Sequence, residues 1–103
     1  MRADVKRVIR TIDSKFDIAE MEDKSIEIVR SGTSQIIPHD EPLFLFRAQD
    51  KNAAPTLRNY YHVCLAACCT RRQLDSVLKK IGEFEKFAVE NPKAMKQSGA
   101  EDL

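Results

Sequence analysis

Apolar residues in the first segment of the chain, residues 3–16, are spaced three and four positions apart. They are Val5, Val8, Ile9, Ile12 and Phe16. This spacing is typical of one face of an amphipathic helix. Basic residues hold most of the remaining positions, and an acidic patch follows at residues 17–23. The pattern predicts an N-terminal amphipathic helix, whose basic face is either solvated beside the acidic patch or a surface for an anion or a partner.

Alternation of apolar and polar residues replaces this spacing at residues 25–37. Ile26 and Ile28 alternate with polar residues, and the letters SGTS supply a turn in which Gly32 adopts positive φ at little cost. Pro38 stops the returning strand or places it at a sheet edge. The run LFLFRA at 43–48 predicts a further strand with large apolar side chains on both faces. Such a strand is normally covered by helices or by another subunit.

Two helices are predicted in the second half of the chain. The first has Pro55 in its first turn and extends to about position 69, with apolar residues around most of its circumference. We therefore expect this helix to be largely buried. The second begins at Thr70, which forms a capping-box pattern with Gln73. The pair Asn91-Pro92 ends it.

The predicted fold is α+β: an N-terminal helix, a short antiparallel sheet of about three strands and a C-terminal helical hairpin. Residues 1–92 are expected to form one domain, and residues 93–103 a flexible polar tail. The two-faced strand at 43–46 and the additional apolar residues Phe84 and Phe87 remain to be covered. We therefore predict that the chain completes its core as a homo-oligomer.

Composition and charge narrow the classes of partner. The 103 residues carry a formal net charge of +1, so no global field attracts nucleic acid or a membrane. No apolar stretch approaches the length of a membrane span, and no apolar region follows the basic N-terminus as in a signal peptide. The 3 cysteines lie on one short helical segment, which fits a reducing cytoplasm better than a disulfide framework.

Motifs for metal binding or catalysis are weak. Cys64 and Cys68 share a predicted helix face, as metal ligands could, but no CxxC pair occurs and buried free cysteines are common packing residues. The adjacent residues His39, Asp40 and Glu41 are better explained as a turn. The sequence has no Walker loop, GxGxxG, GxSxG or HExxH motif. We therefore expect no metal site, no cofactor and no enzymatic activity.

Residues 47–61 contain the best candidate for a ligand site. An arginine at a strand exit, the N–H groups of a helix N-terminus and an aromatic wall are elements of a nucleotide or phosphate pocket. The predicted ligand-binding residues are Arg47, Asp50, Asn52, Arg58, Tyr60 and Tyr61. The structural alternative is that Arg47 pairs with Asp50, Asp40 or Glu41 as a buried clamp between strand and helix.

The letters P-x-D-E-P-x-F-x-x-R-A-Q-D at 38–50, followed by Ala54-Pro55 and a helix, resemble small accessory proteins encoded by phages and prophages. The similarity covers about residues 38–61, with a vaguer likeness through Pro92. The resemblance implies a bacterial host cytoplasm and a protein that acts by binding, and it assigns no catalytic residues.

Together these observations predict a non-enzymatic, oligomeric binding protein. As a phage counter-defence sponge, it would sequester a small anionic, nucleotide-derived signal. The alternative is a protein–protein inhibitor or adaptor of a bacterial host or defence protein, acting through the basic first helix. An enzyme whose site is assembled across subunits is the third possibility.

Overall fold

The computed structural model describes residues 3–97, in which three strands precede two helices. The strands are β1 (Val5–Thr11), β2 (Phe16–Met21) and β3 (Ile26–Arg30); the helices are α1 (Ala53–Ala66) and α2 (Arg71–Glu90), with a short 3₁₀ turn at Pro92–Ala94. The chain divides into two compact units between Leu43 and Phe44. The sheet lies in the first unit and the helices in the second. The α+β class is confirmed, but the elements do not follow the predicted order.

The predicted N-terminal helix is wrong, because residues 5–11 form the edge strand β1 instead. The sheet is antiparallel with the order β1-β2-β3. β1 pairs with β2 through the partners Val5↔Met21, Val8↔Ala19 and Thr11↔Asp17, with register shifts after Val5 and after Val8. Directly paired residues share a face of the sheet, so the two irregularities place same-face residues of β1 three positions apart instead of two. That spacing imitates a helix.

Aspartates build the two turns of the sheet. Asp13 Oδ1 accepts hydrogen bonds from the backbone N–H groups of Lys15 at 2.7 Å and Phe16 at 2.9 Å. Asp23 Oδ1 accepts from the backbone N–H of Ser25 at 2.9 Å and from its hydroxyl at 2.6 Å, which holds the pKa of Asp23 below its usual value. Part of the predicted acidic patch therefore shapes turns and strands.

The core of the first unit is small and lies on one face of the sheet. Ala19, Met21 and Val29 are buried, and the partly buried Val5 and Ile36 are among the residues that pack against them. The same face of β2 carries Asp17, which is only 6% exposed. The hydroxyl of Ser31 donates to Asp17 Oδ1 at 3.1 Å, so this buried carboxylate has a polar partner.

The hairpin predicted at residues 25–37 is confirmed in its first strand and its turn. Gly32 has a φ of 76°, as the turn prediction requires. The return is shorter than a strand: it consists of a single bridge between Val29 and Ile36, with Ile37 N–H also donating to Ile28 O at 2.8 Å. Pro38 and Glu41 then close the predicted turn, the Glu41 N–H donating to Pro38 O at 3.1 Å.

The predicted strand at residues 43–48 is wrong, because residues 42–47 have no regular secondary structure. Three consecutive apolar side chains are exposed here: Leu43, Phe44 and Leu45, of which Phe44 is 81% exposed. The ring of Phe46 packs edge-to-face on that of Phe44, with centroids 5.0 Å apart. Apolar composition favoured a strand, but the segment has no ladder of backbone hydrogen bonds.

The two helices pack against each other in the second unit. The Thr70 hydroxyl accepts from the Gln73 N–H at 3.2 Å, which confirms the predicted cap of α2. α2 ends at Glu90, beside Asn91-Pro92, as predicted. The expectation that α1 is largely buried is wrong. Only Ala53 and Cys64 of α1 are buried, because α2 covers one side of α1.

The segment after α2 is ordered as far as residue 97. Lys51 N–H donates to Lys96 O at 2.9 Å, and Lys96 N–H donates to Gln49 O at 2.8 Å. These bonds hold the segment beside the approach to α1. Residues 98–103 of the predicted flexible tail lie outside the described residues, and the single domain over residues 1–92 stays a prediction. Within residues 3–97, no helix combines the length and apolar character that a membrane crossing requires.

Candidate functional site

A tight turn at residues 47–50 leads into α1. Asp50 N–H donates to Arg47 O at 3.0 Å, and Asp50 O accepts from Ala53 N–H at 3.0 Å. The carboxylate Oδ1 of Asp50 accepts from Asn52 N–H at 2.8 Å. Asn52 is the N-cap residue but makes no capping bond with its side chain; its Oδ1 accepts from Gln97 Nε2 at 3.2 Å. The start of α1 is therefore organised around the carboxylate of Asp50.

Arg47 does not form the buried clamp proposed as a structural alternative with Asp50. Its side chain is exposed, and no ion pair joins it to Asp50 within the described chain. The reason is local: Asp50 turns its carboxylate toward the Asn52 N–H, and the backbone turn holds Arg47 and Asp50 together without their side chains.

Arg58 links the two helices. Its Nη2 donates to Glu85 Oε2 at 2.6 Å, and its Nε reaches the same oxygen at 3.1 Å. Both side chains are about half exposed, at 55% and 44%. This guanidinium, predicted to contact a ligand, is therefore held by a carboxylate of α2.

The two tyrosines have different surroundings. Gln73 Nε2 donates to the Tyr60 hydroxyl at 3.3 Å. A hydrogen bond between Tyr60 and the Cys64 thiol raises the pKa of Tyr60, and burial raises it further. Tyr61 instead makes an edge-to-face contact with His62, with ring centroids 5.8 Å apart. The structure brings Asp50 and Asn52 together, while Arg58, Tyr60 and Tyr61 make separate contacts along α1. A shared ligand role for the six predicted residues stays a prediction.

An open groove of about 430 Å³ lies in the second unit. Its lining is mainly apolar and is Ala48, Asp50, Lys51, Ala54, Phe84, Glu85, Ala88, Pro92 and Met95. Three separate segments of the chain form it: residues 48–54, which include the first turn of α1, the second half of α2, and residues 92–95, which include the 3₁₀ turn. Of the predicted site residues, only Asp50 lines it. The sequence feature that could have predicted this groove is the apolar stripe of α2. This stripe extends to Ala88, beyond the part of α2 that packs against α1.

A second stripe of α2 faces solvent and includes two large apolar side chains. Val77 and Ile81 are buried, whereas the neighbouring stripe Leu78, Gly82, Glu85 and Val89 repeats at intervals of four, three and four residues. Leu78 and Val89 are among the exposed large apolar side chains. An ideal Cβ built on Gly82 meets nothing within 4 Å.

Part of α1 lies on the same side of the α1–α2 hairpin as this stripe. The Arg58–Glu85 ion pair marks where the two helices adjoin on this side. Leu65 is exposed and lies two turns after Arg58 on the same side of α1. We call the surface formed by Leu65, Leu78, Gly82 and Val89 the Gly82 face. The sequence pattern did not reveal this face, because the apolar residues of α1 were predicted to be buried.

Among residues 3–97, no group of three or more His, Cys, Asp and Glu side chains is arranged to hold a metal ion. Comparison with known proteins adds no further guide: no protein-family model, no curated protein and no solved structure matches this chain. The resemblance to phage-encoded accessory proteins therefore stays a prediction.

Proposed function

We propose that this chain is a non-enzymatic binding protein that self-associates through the Gly82 face. The observation that carries the proposal is the exposed stripe of Leu78, Gly82 and Val89 beside the buried stripe of the same helix. A helix with two adjacent apolar stripes is typical of a bundle in which each stripe packs against a different helix. α1 covers the first stripe, and a helix of a second copy covers the other.

Burial of apolar side chains favours this association. Complete burial of an exposed Leu or Val side chain contributes about 1.5–3 kcal/mol. Leu65, Leu78 and Val89 are 52%, 43% and 81% exposed, so each contributes the part of that amount that corresponds to its remaining exposure. An isologous contact uses the same patch twice, so the contribution of each residue is counted in both copies. Side-chain ordering and the loss of translational freedom oppose this gain.

A second copy suits this face in charge and in shape. Its ionic groups are paired within the chain: Arg58 with Glu85, and Arg71 with Asp75 at 3.7 Å. Two copies of a surface with balanced charge do not repel each other. Gly82 lowers the helix surface at the middle of the stripe, and small residues at such positions let another helix approach closely.

The start of α1 and the segment before it are better suited to a protein partner than to a small anion. The carboxylate of Asp50 lies at the N-terminus of α1, where an anionic ligand would have to bind. The Ala53 N–H is bonded to Asp50 O, and Pro55 has no N–H to offer. The exposed pair Phe44 and Leu45 offers an apolar contact instead. We therefore propose an adaptor or inhibitor that acts by protein–protein contact.

Sequestration of a nucleotide-derived anion is the second candidate. It is supported by the exposed Arg47 and Lys51, two cationic side chains on the turn beside the groove. Calorimetric titration with a cyclic dinucleotide tests it, since binding that disappears in both Arg47→Ala and Lys51→Ala would favour this candidate. Absence of binding to the parent chain would remove this cyclic dinucleotide as a ligand.

Self-association is tested on the unmodified chain by sedimentation velocity over a dilution series. We expect the mass of two or more chains at micromolar concentration and dissociation on dilution. The mass of a single chain at every concentration would contradict the proposal.

A further inference from the structure

Three cysteines surround the C-terminus of α1, and their backbone forms a defined cap. Cys69 N–H donates to Cys64 O at 3.0 Å, and Cys68 N–H donates to Leu65 O at 3.1 Å. Cys68 has a φ of 59°, in the left-handed region. This combination of two bonds and one left-handed residue is the Schellman motif, in which the first and last residues of the loop come close together. Here those two residues are Cys64 and Cys69.

The hydrogen bond limits the separation of Cys64 and Cys69. From standard bond lengths, a carbonyl oxygen lies about 2.4 Å from its own Cα, and an amide nitrogen about 1.5 Å from its own Cα. With the N···O distance of 3.0 Å between Cys69 and Cys64, their Cα atoms are at most about 6.9 Å apart. Disulfides join Cα atoms about 4.4–6.8 Å apart, so this upper bound lies at the edge of the range that a disulfide spans.

The distance between Cα atoms favours the pair Cys64–Cys69 over the adjacent pair Cys68–Cys69. Cys68 and Cys69 are neighbours in sequence, and a trans peptide fixes their Cα atoms about 3.8 Å apart, below the usual disulfide range. The two thiols of this pair differ in their exposure to solvent. Cys64 is buried, whereas Cys69 is partly exposed. Within this pair an oxidant in solution reaches Cys69 before Cys64, and the exposed Cys68 is a competing point of attack.

We propose that Cys64 and Cys69 are a dithiol pair that closes to a disulfide and locks the turn between α1 and α2. The oxidant is a small disulfide such as oxidised glutathione. The Cys69 thiolate attacks one of its sulfurs, the glutathione S–S bond breaks, and one glutathione leaves as a thiolate. The Cys64 thiolate then attacks Sγ of Cys69, which releases the second glutathione.

The exchange is balanced in atoms and electrons. Two protein thiols lose two electrons, one glutathione disulfide gains them, and the two thiol protons end on two glutathione molecules.

The experiment equilibrates the full chain in mixtures of reduced and oxidised glutathione, alkylates the remaining thiols and maps the peptides by mass spectrometry. We expect an intramolecular Cys64–Cys69 link and an alkylated Cys68. Cys68→Ser should keep the link, and Cys64→Ser and Cys69→Ser should each abolish it. Peptide mapping of the parent chain decides the question even if a variant fails to fold.

Three results would overturn the proposal. These are a link that involves Cys68, a bridge only between chains, or a glutathione adduct on Cys69 that Cys64 never displaces.

Discussion

Arg58 and Glu85 join α1 to α2 through one carboxylate oxygen, which accepts from Nη2 at 2.6 Å and from Nε at 3.1 Å. Because both side chains are about half exposed, at 55% and 44%, water screens the attraction. The pair therefore contributes more to the geometry of the hairpin than to its stability.

The first prediction concerns this pair. A double-mutant cycle with Arg58→Ala and Glu85→Ala should give a coupling energy of about 0.2–1 kcal/mol, as for other exposed ion pairs. The coupling should decrease when salt is raised, because ions screen exposed charges. Urea unfolding of the four proteins at low and high salt measures it. A salt-independent coupling of several kcal/mol would show that the pair is desolvated.

Arg47→Ala should leave the fold nearly unchanged in stability. The side chain is exposed and forms no ion pair with Asp50, and surface substitutions of this kind usually stay within about 0.5 kcal/mol. Removal of one partner of a buried pair would instead cost about 3–5 kcal/mol. Urea unfolding of parent and variant distinguishes the two magnitudes, and a loss in the larger range would restore the clamp hypothesis.

The sheet should lose stability as His39 deprotonates. His39 Nε2 lies 2.6 Å from Glu27 Oε1, and this hydrogen bond is the main reason that the pKa of His39 is raised. A folded-state pKa above the unfolded value of about 6.5 means that the contribution is fully present below that pH. It is lost as the pH rises through the folded-state pKa.

The measurement is the free energy of unfolding against pH for the parent and for His39→Gln, which lacks this titration. The difference between the two should shrink as the pH rises above about 6.5. A difference that is constant or grows with pH would contradict the assigned interaction.

Gly82→Ala should stabilise the folded chain by about 0.8–1 kcal/mol, the difference in helix propensity between the two residues. The new methyl group meets nothing within 4 Å, so no steric cost within the chain offsets the gain. Urea unfolding followed by the helical circular dichroism signal, at a concentration where the chain is monomeric, measures the effect. A loss of stability at that concentration would show that the added methyl group clashes with a neighbouring group, contrary to the open space around Gly82.

The pattern of β1 explains why its strand was predicted as a helix. Val5, Val8 and Thr11 pair with Met21, Ala19 and Asp17 on one face of the sheet. Two register shifts separate these residues by three positions, and single-sequence reasoning assigns that interval to a helix. The bulges depend on pairing with β2, which local spacing does not contain. By contrast, the Gly32 turn and the Thr70 cap depend on adjacent residues and were predicted correctly.

The candidate site was predictable only in its local parts. The start of α1 was predicted from Pro55, but the hydrogen bonds there give Asp50 a structural role that letters alone do not show. The groove combines Ala48, Phe84 and Met95 from three distant segments. The Gly82 face became visible only when the packing of α2 on α1 showed which stripe stays exposed.

The most direct test of self-association through the Gly82 face compares two matched variants by light scattering at micromolar concentration. Leu78→Gln changes the face, and Val63→Gln makes an equivalent change at an exposed residue of α1 nearly opposite Leu65 around the helix. Circular dichroism first establishes that both variants keep their helices. The account predicts that the parent and Val63→Gln have the mass of two or more chains, while Leu78→Gln has the mass of one. A parent chain that is already monomeric, or a Leu78→Gln variant as associated as the parent, would contradict it.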